Sequence, residues 1–224
     1  ALARLKFGQT VRDDGPSTHF RKTGTPTIGG VIFLIPILAV SFYFSKDYSQ
    51  LLPMALASAA FGLVGFLDDF IKVVRRRKDG LYAGQKTLGL LAVAAVYTYY
   101  LVYVYGLGSD IIIPLAGIDA TYELPLWFYI PFTIIVFYAT TNSVNLTDGV
   151  DGLAAGITLI VMVFFTIVAM TRVEWDSIKM FCSITAGGCL GFLVFNLHPA
   201  RVFMGDTGSL ALGGAVAAAS VMMK

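Results

Sequence analysis

Two adjacent aspartates, Asp68 and Asp69, follow an apolar run and precede Lys72 by one helical turn. From Leu51 to Leu67 the chain carries no charge, so this pair lies at the edge of a segment that a membrane could accommodate. Ionisable groups at membrane depth are costly to place and are by default functional candidates. A surface ion pair, worth about 0.2–0.5 kcal/mol, explains one carboxylate and the lysine. The second carboxylate requires another explanation.

Further carboxylates lie in polar stretches between other apolar runs, and one of these stretches is predicted to be a loop at residues 142–152. Asp148 and Asp151 stand one turn apart before the run that begins at Gly152, where carboxylates would offset the dipole of a helix. Asp206 precedes the last run and could be a simple N-cap. The glycines and threonines of residues 24–30 offer backbone N–H groups and hydroxyls that suit phosphate, although a turn with helix capping explains them equally well.

The three acidic stretches are expected to face one compartment, together with Lys22, Lys72 and Lys86. Oxygen-rich clusters suit Mg²⁺, which binds through one or two carboxylates plus substrate phosphates. Phosphoryl transfer uses this pairing of a cation with positioned basic groups. The stretch from Gly80 to Thr87 misses the spacing of a phosphate-binding P-loop, and the cysteines and histidines lack zinc-site spacing. The residues therefore favour Mg²⁺-assisted phosphoryl transfer.

The composition predicts the elements that must position these residues. Hydrophobic residues make up 57% of the chain, charged residues 13%, and the mean hydropathy is +0.76, whereas soluble domains carry about 25% charge. Seven uncharged runs approach the ~17–25 residues that a spanning helix needs. We expect an all-α integral membrane protein, with residues 1–224 forming a single transmembrane catalytic domain. The runs are approximately Gly29–Phe44, Leu51–Leu67, Thr87–Gly108, Leu124–Asn142, Gly152–Thr171, Ile178–Leu197 and Thr207–Met223.

The basic residues predict the orientation of the helices. Seven spans would place twelve of the sixteen lysines and arginines on the side that holds the acidic stretches. Because cytoplasmic loops are enriched in basic residues, that side is expected to be cytoplasmic. The opposite side would hold the segment from Asp110 to Glu123, which resembles a short extracytoplasmic β-hairpin. The net charge of +2 gives no reason to expect a nucleic acid partner.

Four sequence blocks together resemble one family, the polyprenyl-phosphate N-acetylhexosamine-1-phosphate transferases. The resemblance covers nearly the whole chain, and the blocks occur in the expected order and on the predicted side. The first block is similar to the branch of the family that uses UDP-MurNAc-pentapeptide, and the other three are shared more widely. The blocks are Arg12-Asp13-Asp14-Gly15-Pro16 with His19, Lys22 and Gly24-Thr25-Pro26-Thr27; Asp68-Asp69 with Lys72; Asn145-Leu146-Thr147-Asp148-Gly149-Val150-Asp151-Gly152; and Phe203-Met204-Gly205-Asp206.

The resemblance implies a concrete activity. Phospho-MurNAc-pentapeptide would move from UDP-MurNAc-pentapeptide to undecaprenyl phosphate, giving lipid I and UMP in the first membrane step of peptidoglycan synthesis. Mg²⁺ would be the cofactor, and the protein would be a homodimer of ten-helix subunits in the bacterial plasma membrane. The family also carries a C-terminal histidine-rich motif that nothing here matches. Relative to the family, one span before Ala1 and two after Lys224 are also missing, so the chain is expected to be truncated at both ends.

The resemblance also implies roles for individual residues. Asp206 would be the main Mg²⁺ ligand. Asp68 would be the base or orienting group for the lipid phosphate, with Asp69 beside it. Phosphates would be held by Lys22, Thr27, Lys72 and Lys86. The nucleotide pocket would be lined by Asn145, Asp148, Asp151, Asn196 and Phe203, with Phe203 stacked on uracil.

Two alternatives are open at this point. A sister transferase that acts on UDP-GlcNAc would keep the shared blocks but lack the pattern between Arg12 and Gly30. A cation-coupled transporter could also use carboxylates in a membrane, but it would place them near the midplane within interrupted helices.

Overall fold

The computed structural model describes residues 28–75, 80–113 and 121–224. Within these ranges the chain forms seven α-helices and one two-stranded sheet, so the predicted polytopic all-α fold is confirmed. In chain order the elements are α1 Gly30–Phe44, α2 Leu51–Arg75, α3 Ala83–Tyr99, β1 Asp110–Ile112, β2 Thr121–Glu123, α4 Leu126–Thr147, α5 Leu153–Ala169, α6 Asp176–Asn196 and α7 Gly205–Met223. A π-helical turn, Tyr100–Val104, extends α3.

The helices suit a membrane in length and in surface. Four of them are long and apolar enough to cross a bilayer, while α1 and α5 are apolar but shorter. Large apolar side chains cover the outside of the bundle: Ile160 of α5 is 70% exposed and Val194 of α6 is 71% exposed. Exposed apolar surface of this kind is unfavourable in water and favourable against lipid. The chain is a multi-pass membrane protein.

Small residues make α7 the central helix of the bundle. A Cβ added to Gly213 would lie 2.6 Å from the Cα atom of Thr141 in α4, and one added to Gly214 would lie 2.6 Å from the ring of Phe61 in α2. Small residues permit such close approach between membrane helices. Because α7 lies against both α2 and α4, its first residues can contact polar side chains of these two helices, Asp69 of α2 and Asn145 of α4.

Helix α2 is longer than its apolar run. It continues through Arg75, so Asp68, Asp69 and Lys72 project from within the helix rather than from its end. The ion pairs between Lys72 and the two aspartates, at spacings of four and three residues, follow from this helical geometry.

Helix α4 also continues beyond its apolar run, to Thr147. The predicted loop at residues 142–152 is therefore wrong for its first six residues, which are helical, and Asn145 lies in the last turn of α4. The polar side chains are accommodated by the backbone of the helix itself. Asn142 donates a hydrogen bond to the Tyr138 carbonyl at 2.8 Å, and Thr147 donates one to the Ser143 carbonyl at 2.8 Å.

The predicted hairpin is confirmed. Strands β1 and β2 pair antiparallel, with Asp110 opposite Glu123. The Lys224 ammonium lies 2.5 Å from Asp110 Oδ1, so the hairpin is close to the last residue of α7. The hairpin and the acidic residues at the start of α7 therefore lie at opposite ends of the bundle.

Candidate active site

Three carboxylates from two helices converge at one end of the bundle. Asp68 and Asp69 of α2 are 3% and 4% exposed, and Asp206 lies in the first turn of α7. One oxygen from each group lies within 4.8 Å of the other two. The structure thus brings together the three aspartates that the sequence singled out.

Lys72 bridges two of the three carboxylates. Its Nζ lies 2.5 Å from Asp68 Oδ2 and 2.8 Å from Asp206 Oδ2, but 3.9 Å from Asp69 Oδ1. The other oxygen of Asp68 accepts a hydrogen bond from the backbone N–H of Leu81 at 2.7 Å. Asp68 and Asp206 therefore share one cation, whereas Asp69 is turned away from it.

Asp206 also contacts α3 and α4. Lys86 of α3 lies 3.2 Å from Asp206 Oδ2 and donates to Asn145 Oδ1 at 3.1 Å. The Asn145 amide donates to Asp206 Oδ1 and to the Ser209 hydroxyl, each at 2.8 Å. Lys86 and Asn145 were expected to bind phosphate and nucleotide, and the structure places both directly on Asp206. Side chains from three helices thus fix the orientation of this carboxylate.

Asp69 binds the start of α7. Its Oδ1 accepts from the Asp206 N–H at 3.2 Å, and its Oδ2 accepts from the Thr207 N–H at 2.9 Å and the Thr207 hydroxyl at 2.7 Å. The first N–H groups of a helix lack partners within the helix. The Met204 side chain, at the N-cap of α7, makes no capping bond, and Asp69 supplies this interaction from α2.

A second polar group lies between the α4–α5 connection and the α6–α7 connection. Asn196 is 2% exposed. Its Oδ1 accepts from the Gly152 N–H at 3.1 Å, and its Nδ2 donates to the Val202 carbonyl at 2.9 Å. The Asn196 side chain therefore joins the two connections through their backbones.

Asp151 joins the same two connections from the other side. Its Oδ2 accepts from the Ala200 N–H at 3.2 Å and lies 3.1 Å from His198 Nδ1. Asp148 is the C-cap residue of α4, and Gly152 is the N-cap of α5. Both carboxylates precede the first turn of α5, as the sequence predicted, and that turn itself begins at Leu153 and holds no acidic residue.

Of the remaining predicted residues, one lies within the described ranges and two lie outside them. Phe203 is half-buried, and its carbonyl accepts from the Gly29 N–H at 2.9 Å, which ties the start of α1 to the segment before α7. Lys22 and Thr27, which were expected to hold phosphates, lie outside the described residues.

Sequence reasoning missed four contributors to the site. Thr207 and Ser209 follow Asp206 at the start of an apolar run, and their hydroxyls were a visible signal. Gly65 matters because a Cβ there would lie 2.1 Å from the Asp206 carbonyl oxygen. The Leu81 N–H belongs to the backbone, so no residue type in the sequence could have indicated it.

This arrangement suits a divalent cation and phosphate groups. Carboxylate oxygens that converge from two helices are ligands that Mg²⁺ prefers, and flanking lysines can bind phosphate. The fold and the site define a multi-pass membrane protein whose candidate metal site lies at one end of the helix bundle.

Comparison with known proteins gives the family. Residues 51–224 match the family described as glycosyl transferase family 4. A phospho-N-acetylmuramoyl-pentapeptide-transferase of Acetivibrio thermocellus is 61% identical over 223 residues, covering 100% of this chain and 67% of that protein. A protein of the same name from Clostridium novyi is 48% identical over 224 residues, covering 100% of this chain and 68% of the relative. The chain belongs to glycosyl transferase family 4 and is a membrane-embedded transferase.

Proposed function

We propose that this chain transfers phospho-MurNAc-pentapeptide from UDP-MurNAc-pentapeptide to undecaprenyl phosphate, giving lipid I and UMP. The observation that carries the proposal is the cation shared between two helices: Lys72 lies 2.5 Å from Asp68 and 2.8 Å from Asp206. Such a cluster can hold a diphosphate beside the acidic ligands of a metal ion. The names of the relatives support the identity of the donor.

The donor atoms of the site fit Mg²⁺. Three carboxylates face two lysines, which leaves a formal excess of one negative charge for a cation to neutralise. In the proposal Asp206 is the main ligand, and Asp68 lies beside it. When bound, Mg²⁺ would neutralise the diphosphate of the donor and stabilise the departing UMP.

The proposed reaction is a direct displacement. An oxygen of the lipid phosphate attacks the β-phosphorus of the nucleotide donor, and the bond from that phosphorus to the oxygen shared with UMP breaks. Asp68 orients the attacking phosphate or accepts its proton, while Lys72 and Lys86 bind phosphate oxygens. The rival route forms a covalent aspartyl intermediate. Recovery of a peptide that carries phospho-MurNAc-pentapeptide on Asp68, formed as UMP leaves, would contradict the single step.

The nucleotide is proposed to bind beside this cluster. Asn145 contacts both Asp206 and Lys86, so a nucleotide bound to the amide would also lie near the two charged groups. Asn196 and Asp151 hold the adjoining connections in place. In the proposal they contribute to nucleotide binding by fixing the backbone of these connections. The full proposed set for substrate binding is Lys22, Thr27, Lys72, Lys86, Asn145, Asp148, Asp151, Asn196 and Phe203.

Two further features belong to the proposal. The sequence-based topology, which assigns twelve of the sixteen lysines and arginines to the side that holds the acidic stretches, supports an active site facing the cytoplasm across the plasma membrane. A homodimer is also proposed, and light scattering of the detergent-solubilised protein, corrected for bound detergent, would measure its mass. A monomeric mass under conditions of full activity would contradict the dimer.

The substrate assignment predicts a donor preference. In membranes that contain undecaprenyl phosphate, the full-length protein should release UMP from UDP-MurNAc-pentapeptide, and chelation of Mg²⁺ should abolish the release. UMP release can be followed by a coupled assay, with UDP-GlcNAc as the matched donor. Equal or faster release from UDP-GlcNAc would favour the sister transferase instead.

The contact between α2 and α7 predicts sensitivity at Gly65. A Cβ at this position would lie 2.1 Å from the Asp206 carbonyl oxygen, so Gly65→Ala should displace the start of α7. Because displacements of about 1 Å can cost about 100-fold in rate, we expect a loss of that order in UMP release. Gly191→Ala is the matched control, since its Cβ would have no neighbour within 4 Å. Equal activity of the two variants would show that this close contact does not position the site.

A further inference from the structure

We infer that Asp69 and Thr207 form a clamp that positions Asp206, and that Asp69 is a positioning residue rather than a metal ligand. The inference rests on the proposed metal site at Asp68 and Asp206. It assigns Thr207 a role in metal binding although its hydroxyl donates to Asp69. The clamp consists of the Asp69 carboxylate and the N–H and hydroxyl groups that it binds at the start of α7.

The hydrogen bonds of Asp69 account for both of its oxygens. Three donors from the Asp206–Thr207 segment lie at 3.2, 2.9 and 2.7 Å. The nearest approach to Lys72 is 3.9 Å, compared with 2.5 and 2.8 Å for the other two carboxylates. To coordinate a metal through Oδ2, Asp69 would have to release two bonds to the start of α7, one of them to the backbone. The Asp206 carboxylate differs, because it is bonded to the side chains of Lys72, Lys86 and Asn145, which can turn aside for a metal.

Two glycines permit this contact. Gly205 has a φ of +70°, and a Cβ there would lie 2.6 Å from Asp69 Oδ2. Gly65 brings the backbone of α2 against the Asp206 carbonyl group. Both the conformation of Gly205 and the absence of its side chain are therefore needed for the carboxylate to reach the first N–H groups of α7.

The clamp acts on Asp206 through the backbone. Asp69 binds the N–H of Asp206 itself, and Thr207 is 2% exposed, so water does not compete for these bonds. Groups that hydrogen-bond beyond the ligands of a metal orient those ligands, and their loss typically costs about 10- to 100-fold in metal affinity. The hydroxyl of Thr207 has the shortest bond in the clamp and can be removed without a change in side-chain shape.

The test is Mn²⁺ binding to the full-length protein in detergent, measured by electron paramagnetic resonance with no substrate present. Thr207→Val keeps the shape of the side chain and removes the hydroxyl, so we expect Mn²⁺ binding to weaken by about tenfold. Thr207→Ser restores the hydroxyl and should recover most of the affinity. Thr185→Val is the matched control, because Thr185 is a buried threonine of α6 that bonds only the Phe181 carbonyl of its own helix.

The competing assignment predicts the opposite direction. If Asp69 were a metal ligand, removing the hydroxyl that occupies its Oδ2 would leave Mn²⁺ binding unchanged or tighter. If the wild type binds Mn²⁺ and Thr207→Val binds it at least as tightly, the clamp is overturned and the metal proposal stands. A wild type that binds no Mn²⁺ would overturn the metal proposal and the clamp together. The assay uses no nucleotide donor, so it is independent of the substrate assignment.

Discussion

Replacing Asp206 with Asn is expected to lower kcat/KM for UMP release by about 10³-fold. The substitution keeps the shape of the side chain but removes the negative charge that would bind Mg²⁺. It also leaves the ammonium groups of Lys72 and Lys86, at 2.8 and 3.2 Å, facing a neutral amide. Losing a single preorganised electrostatic contact can cost about 10²–10³-fold, and a metal ligand should be at the upper end of that range. Initial rates across a Mg²⁺ titration measure the effect.

Asp176→Asn is the control for this variant. Asp176 lies at the opposite end of α6 from Asn196 and pairs with Lys179 at 2.5 Å. Its substitution also removes one carboxylate from an ion pair, but away from the site, so turnover should stay near that of the wild type. An Asp206→Asn protein that kept full Mg²⁺-dependent turnover would refute the assignment of Asp206 as the main ligand.

Replacing Lys72 with Met is expected to reduce both activity and stability. The substitution removes the cation that lies between Asp68 and Asp206 and leaves two repelling carboxylates at a buried helix contact. Breaking a buried ion pair from one side costs about 3–5 kcal/mol. Because the Lys72 side chain is 35% exposed, we expect the free energy of unfolding to fall by an amount at the lower end of this range, about 3 kcal/mol. That loss corresponds to a fall of roughly 6–12 °C in Tm, measured by thermal unfolding in EDTA.

Mg²⁺ should partly reverse this destabilisation. A divalent cation bound between the carboxylates would neutralise the charge that Lys72 no longer balances, and binding to the folded state raises Tm. Lys179→Met removes the lysine of the Asp176 pair and should change Tm little, because the Asp176 side chain is 47% exposed whereas that of Asp68 is 4% exposed. A Lys72→Met protein as stable in EDTA as the Lys179→Met protein would contradict the electrostatic account of the site.

Hydropathy was sufficient to predict the architecture. Uncharged runs of suitable length identified all seven helices of the described residues, because a bilayer requires long apolar segments with internally satisfied backbones. The hairpin at Asp110–Glu123 was likewise predicted, because this short segment between two spans begins and ends with an acidic residue. The acidic cluster was predictable for a related reason: Asp68 and Asp69 are costly at a membrane boundary unless they have partners.

Hydropathy did not predict the ends of the helices. Asn145 was expected in a loop, yet α4 continues to Thr147 because its polar side chains bond the carbonyls of their own helix. Hydropathy changes at the membrane surface, whereas helical hydrogen bonding can continue beyond it. The consequence for the site is direct, since the last turn of α4 carries the amide that holds Asp206.

The different roles of the three aspartates could not be predicted from the sequence either. Asp68 and Asp69 are adjacent and chemically identical, and a helix directs neighbouring side chains about 100° apart. Helical spacing accounts for the pair of Asp68 with Lys72, but only the position of α7 determines that Asp69 faces Thr207 and that Lys72 also reaches Asp206. That position depends on small residues such as Gly65 and Gly213, whose tertiary role has no local signal.

The most direct test of the central claim is anomalous diffraction from crystals of the full-length protein soaked in Mn²⁺. The account predicts a single strong peak at this site, in contact with the carboxylate of Asp206 and beside Asp68, while Asp69 keeps its hydrogen bonds to Thr207. A peak coordinated by Asp69 with those bonds broken would contradict the clamp. A metal bound away from all three carboxylates would contradict the site itself.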